Sequence, residues 1–150
     1  MFKTEQEMVI ALISILKNKS LSINQARDFV IMQEVDGLVG RPDILLKSKK
    51  NKKIITIELK LKNWKRALAQ AYKYKSFSDI SYVCMDESNV ASVLNHLDMF
   101  EKYNIGLITI SKSKKVKIVY KPDATEPYAK DLYEKAEMKF KDYESRMLVD

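Results

Sequence analysis

Three residues combine types and spacing that can do chemistry: Asp43, in Gly40-Arg41-Pro42-Asp43, and Glu58 and Lys60, in Glu58-Leu59-Lys60, with fourteen residues between Asp43 and Glu58. Glu58 and Lys60 stand two apart on an apolar, β-branched run, so on a strand they project from one face, about 7 Å apart along the chain. Asp43 begins the strand expected to pair with theirs across a hairpin, so two carboxylates and an ammonium converge at one edge of a sheet. Two close carboxylates repel unless a cation lies between them. A pair of hard oxygen donors with room for water suits Mg²⁺ or Mn²⁺. A lysine beside them steadies an attacking water and the charge growing on a phosphoryl oxygen. The plain alternative makes Asp43 a turn residue and Glu58 and Lys60 a solvated ion couple. Against it, a buried third strand has no reason to carry such a pair, and Asp43 arrives from the neighbouring strand.

This pattern resembles the PD-(D/E)xK nuclease superfamily, the restriction-endonuclease-like fold of restriction enzymes, archaeal Holliday-junction resolvases and RecB-type exonucleases. The resemblance covers roughly the first 85 residues and implies an αβββαβ core from Thr4 to about Met85. It implies that Asp43, Glu58 and the backbone carbonyl of Leu59 hold the metal, with Lys60 beside the water. Glu-x-Lys occurs twice, the second time as Glu137-Met138-Lys139 in a helical stretch, and only the first follows a Pro-Asp hairpin. By the same resemblance, Gln70 and Tyr74, four apart on one helical face, border the site and touch substrate; alternatively Tyr74 is a core aromatic in line with Ala67 and Phe77. Many members add a glutamate from the first helix, for which Glu7 is the best-placed candidate although a capping box explains it equally well. Glu34, late in the first strand, is the rival.

The elements that must position these residues follow from periodicity. Thr4 to about Lys17 reads as a helix, with Thr4 and Glu7 as its capping box. Asp28–Val35, Asp43–Lys47 and Lys53–Lys62 read as strands; in the third, Ile55, Ile57, Leu59 and Leu61 face one way and Thr56, Glu58, Lys60 and Lys62 the other. Asn63 caps a helix to about Lys75. Asp79–Met85 is a fourth strand, Asn89–Tyr103 a helix, and Asn104–Ser111 with Val116–Tyr120 a closing strand pair. Thr125–Met147 is an amphipathic helix with a stripe of Tyr128, Leu132, Ala136, Phe140, Tyr143 and Met147, able to pack on the domain or on another subunit. The expected architecture is one α/β domain over 1–150 with a mixed sheet, 121–150 being a C-terminal helical extension.

Composition narrows the chemistry. The 150 residues hold 27 Lys and Arg, 20 Asp and Glu, one His and one Cys, for a net charge of +7. One Cys and one His allow neither an intramolecular disulfide nor a Cys/His zinc cluster. Cys84 follows an apolar run as a core strand thiol does, and His96 reads as a packing or surface residue. Nothing in the pattern calls for a haem or nucleotide cofactor. No apolar run approaches the ~20 residues of a membrane span, and the polar N-terminus does not read as a signal peptide, so a soluble cytoplasmic protein is expected. The positive field suits a polyanion, or serves solubility only. Arg41, Lys62, Lys65, Arg66 and the lysines of the 47–53 loop (Lys49, Lys50, Lys52) are candidate DNA-phosphate contacts. The expectation is a Mg²⁺-dependent deoxyribonuclease in repair or recombination, acting as a homodimer if it cuts both strands. The competing expectations are a non-catalytic nucleic-acid-binding or assembly subunit of the same fold, and a basic domain that binds protein through its last helix.

Overall fold

The structure, a computed structural model, describes residues 1–149. The final residue of the expected 121–150 extension therefore lies outside the described residues. Helix α1 (Glu5–Lys17) is followed by strands β1 (Phe29–Gln33), β2 (Ile44–Ser48) and β3 (Ile54–Lys60), then α2 (Trp64–Tyr74) and β4 (Ile80–Asp86). A single 3₁₀ turn, Glu87–Asn89, leads into the short helices α3 (Val90–Leu94) and α4 (Leu97–Tyr103). Strands β5 (Gly106–Ile110) and β6 (Val116–Tyr120) and helix α5 (Lys130–Val149) complete the fold.

The strands form one six-stranded mixed sheet in the order β1-β2-β3-β4-β5-β6. The β1/β2, β2/β3 and β5/β6 pairs are antiparallel, whereas β3/β4 and β4/β5 are parallel. Parallel neighbours need crossovers, supplied by α2 and by α3 with α4, and the shared handedness of such connections puts these helices on one face. On the other face α1 buries Met8, Leu12 and Leu16 against Ile55, Ile57, Leu59, Tyr82 and Cys84. Strand β3 is covered on both sides, so the face expected to carry its polar residues lies beneath α2 rather than in water.

Where the elements differ from expectation, local causes are visible. Strand β1 stops at Gln33 because Glu34 turns at φ +48°, its amide making a last bond to the Asp43 carbonyl at 3.1 Å. The single helix expected over Asn89–Tyr103 is interrupted at Asn95-His96, where the His96 ring stacks on Trp64 at 4.7 Å between ring centres. The last helix begins at Lys130 rather than Thr125, because the amides of Thr125, Tyr128 and Ala129 bond the carbonyls of Asp79, Lys75 and Ser76. Its Ala136 and Phe140 are buried against Met32, Leu45, Ile54, Tyr74 and Phe77, so most of the stripe packs on its own domain. Tyr128 and Met147 lie outside that contact and are exposed. Among the described residues no helix is long and apolar enough to cross a membrane.

Candidate active site

The β2/β3 register pairs Ile44 with Ile57; one step beyond, Asp43 falls opposite Glu58, and antiparallel partners share a face. The Asp43 side chain then takes over where the ladder ends, its Oδ2 accepting from the Leu59 amide at 2.8 Å. In an extended strand a residue's N–H and C=O point to the same neighbour, so the Leu59 carbonyl is turned toward Asp43 as well. Glu58 is 3% exposed. Its Oε1 accepts from the Tyr74 hydroxyl at 2.9 Å, and its Oε2 lies 3.8 Å from Lys60 Nζ.

Burial, and then the neighbouring Asp43 charge, push the Glu58 carboxyl up to about 7 against the opposing pull of Tyr74 and Lys60. Burial also raises Asp43, although the Leu59 hydrogen bond and Lys60 act the other way. Two neighbouring buried carboxyls, both raised by burial, are short of positive charge, and one ammonium does not supply it. Tyr74 is pushed well above the usual phenol range by burial and by Glu58, so it remains a hydrogen-bond donor.

The supports of this cluster extend through α2. Thr56 Oγ1 donates to Ser81 Oγ at 2.8 Å, and Ser81 donates on to the Ala71 carbonyl at 2.7 Å. That buried chain ties β3, β4 and α2 together one turn before Tyr74. On its other side Tyr74 is covered by Gly40, at φ +68°, where a Cβ would come within 3.0 Å of the ring. Gln70 shares the Tyr74 face of α2 one turn earlier, and its buried Oε1 has no hydrogen-bond partner.

An acid from the first helix does reach this cluster, but it is Glu5. Its Oε1 lies 3.8 Å from Lys60 Nζ, and its Oε2 accepts from the Leu61 amide at 3.2 Å. The signal was available, since Glu5 precedes Met8 by three and Val9 by four and so heads the buried stripe of α1. Glu7 instead accepts from the Lys3 amide at 3.0 Å, while Thr4 caps the Glu7 amide at 3.1 Å. Glu34 is turned outward by its positive φ and pairs with Arg41 at 3.7 Å. Arg41 also pairs with Asp36 at 3.3 Å. Among the described residues, no group of three or more His, Cys, Asp or Glu stands ready to hold a metal together.

Apart from Arg41, held by Glu34 and Asp36, the expected phosphate contacts divide into two sets. Lys62, Lys65 and Arg66 are exposed at the end of β3 and the start of α2, beside the acids. Lys49, Lys50 and Lys52 belong to the turn at the far end of the β2/β3 hairpin, ~17 Å of strand away. There Lys49 pairs with Asp28 at 3.6 Å, and Lys50 donates to the Gln25 carbonyl at 3.2 Å. Cys84 is fully buried on the α1 face of the sheet, its thiol raised by burial. His96 stacks on Trp64 on the opposite face, so the two do not form a catalytic pair.

No protein-family model matches the chain, and no curated protein matches it. A solved structure of a protein of unknown function from Silicibacter pomeroyi is similar, with a TM-score of 0.56 and 23% identity over 80% of this chain and 77% of that one. That likeness shows a shared fold. Pyrococcus furiosus SfsA in complex with Ca²⁺ aligns at a TM-score of 0.42 and 10% identity, over 75% of this chain and 60% of that one.

Proposed function

We propose that the protein is a metal-dependent nuclease that hydrolyses DNA phosphodiester bonds, built on the restriction-endonuclease-like core of the PD-(D/E)xK superfamily. The observation that carries this reading is the meeting of Asp43 and Glu58 on one face at the end of the β2/β3 ladder, with Lys60 between Glu58 and Glu5. The donors fit a hard divalent cation: two carboxyls raised by burial, Glu58 further by the Asp43 charge, with the Leu59 carbonyl turned the same way. Asp43, Glu58 and Leu59 would hold Mg²⁺ or Mn²⁺, which supplies Lewis-acid stabilisation of the phosphoryl oxygens.

The remaining work falls to the chain itself. Tyr74 holds one Glu58 oxygen, and the Leu59 amide holds one Asp43 oxygen, leaving the other oxygen of each acid to bind. Glu5 draws the Lys60 ammonium over the edge of the sheet, where it can orient water for in-line attack. Gln70, with a buried unpartnered oxygen, is the further polar group at that edge, and Lys62, Lys65 and Arg66 would hold backbone phosphates. Such contacts carry no sequence information, which is why we place the activity in repair or recombination, with a homodimer where both strands are cut.

A second reading, a binding or assembly subunit that retains the fold, is favoured by one observation. Lys60 already neutralises part of the cluster at 3.8 Å from both Glu58 and Glu5. Labelled linear, flapped and four-way-junction DNA incubated with Mg²⁺, Mn²⁺ or Ca²⁺ separates the two. The nuclease cuts at least one substrate with Mg²⁺ or Mn²⁺ and binds without cutting in Ca²⁺; binding without cutting in every metal selects the subunit.

A further inference from the structure

Helix α2 has a second working face. Gln70 and Tyr74 look toward the sheet, whereas Trp64, Tyr72, Met99 and Tyr103 line a groove of about 520 Å³ between α2 and α4 on the outside. Tyr72 is 43% exposed and meets Tyr103 edge-on at 5.4 Å, and Tyr128, 59% exposed, lies 6.1 Å from Tyr72. Buried Lys75 donates to the Tyr103 carbonyl at 3.3 Å and lies 5.4 Å from the Tyr128 ring, so the tyrosines are held in place. The charges at the groove have one sign: Lys65 and Lys73 line it, and among the described residues no carboxylate does. A groove that offers π-faces along an apolar floor with cations at its rim matches a polyanion carrying flat bases, because the two ammonium groups add attraction that an uncharged apolar partner does not return.

We infer that this groove binds an unpaired nucleic-acid strand, with bases stacked on Tyr72 and its tyrosine neighbours and phosphates held by Lys65 and Lys73. The groove runs ~12 Å along α2 from Trp64 to Tyr72, and Trp64 directly follows the Lys60–Asn63 edge that carries the candidate active site. A single strand lying in it is thereby led away from the acids. The inference deepens the nuclease reading and rests on it for that continuity, yet binding here needs neither metal nor Asp43 and Glu58.

The test is fluorescence anisotropy in EDTA with a labelled oligo-dT, an oligo-rU of equal length and a blunt duplex. The proteins are the wild type, Tyr72→Ala, Tyr72→Phe and Lys73→Ala, each with its fold checked by circular dichroism. Stacking of ~1–3 kcal/mol per base makes Tyr72→Ala weaken dT binding at least five-fold while duplex binding moves less than two-fold. Tyr72→Phe, which keeps the ring, stays within two-fold of wild type, and Lys73→Ala lowers the salt slope by about 0.7. Equal binding of dT and rU supports a site that reads bases and phosphates; a preference for either names the strand and supports it too. No single-strand binding by wild type, no effect of Tyr72→Ala, or equal losses on single strand and duplex overturns the inference. The outcome is independent of cutting: a Tyr72 effect without nuclease activity sinks the nuclease reading alone, and nuclease activity without a Tyr72 effect sinks the groove alone.

Discussion

The chain writes Glu-x-Lys twice and builds two different things from it. In Glu58-Leu59-Lys60 the pattern lies on a central strand, where the period of two puts acid and base on the same covered face. In Glu137-Met138-Lys139 it lies on α5, where Glu137 pairs with Lys47 at 3.6 Å and Met138 points to solvent. Glu58 is nearly inaccessible and is pushed up to about 7 by burial and Asp43. The lesson is that the tripeptide carries no chemistry by itself. Strand periodicity, a second acid from the neighbouring strand and a cover of packed side chains set one copy apart, and without them the other is a partly buried ion pair between β2 and α5.

The largest expected effect follows directly. Asp43→Ala or Lys60→Ala should lower DNA cleavage at least ~10²-fold, on the scale of losing a charge-stabilising group in an active site, while Glu137→Ala leaves the rate within about two-fold. Gel assays of the three variants check this, and comparable losses at both tripeptides would erase the distinction. Stability should separate them next. Because the folded protein holds the Glu58 proton more tightly than the unfolded chain, metal-free stability is greatest below the ordinary glutamate range. It falls as pH rises toward 7 and stays low above it. Glu58→Gln should therefore raise the melting temperature by several degrees at pH 8 and change it little at pH 4, whereas Glu137→Gln does neither.

A smaller effect tests the cover. Gly40→Ala forces a residue at φ +68° and presses a methyl group to 3.0 Å from the Tyr74 ring, so a loss of about 1–2 kcal/mol in urea unfolding is expected, with a parallel fall in activity. The smallest is Tyr74→Phe, which deletes the bond to Glu58 but keeps the buried ring. It should cost about 1 kcal/mol and move the pH midpoint of metal binding upward, since the Tyr74 hydroxyl favours the ionised Glu58.

What could be read from the sequence, and what could not, divides along the same line. Local signals placed the strands: the β-branched run of β3, the Asn63 cap that accepts from the Arg66 amide at 3.1 Å, and the alternation that puts Glu58 and Lys60 together. The meeting of Asp43 with Glu58 follows from a hairpin register, which short-range pattern also supplies. The capping box points to Glu7, whereas the apolar stripe of α1 points to Glu5, two residues earlier. Glu34 was misplaced because the pattern of a strand says nothing of a left-handed turn at a non-glycine residue. The interruption at His96 and the late start of α5 depend on Trp64 and on the carbonyls of Lys75, Ser76 and Asp79, which are distant in sequence. The spacing of Tyr128 fits the helical stripe, but its ring lies beside Tyr72 of α2, outside the helix.

Calorimetric titration of the metal-free protein with Mn²⁺ at pH 7.5 tests most directly whether the acid pair takes a divalent ion. Wild type and Glu137→Gln should show one saturable site of equal affinity, lost in both Asp43→Ala and Glu58→Gln with their folds intact. Absence of saturable binding in wild type, or binding that survives removal of both acids, would contradict it.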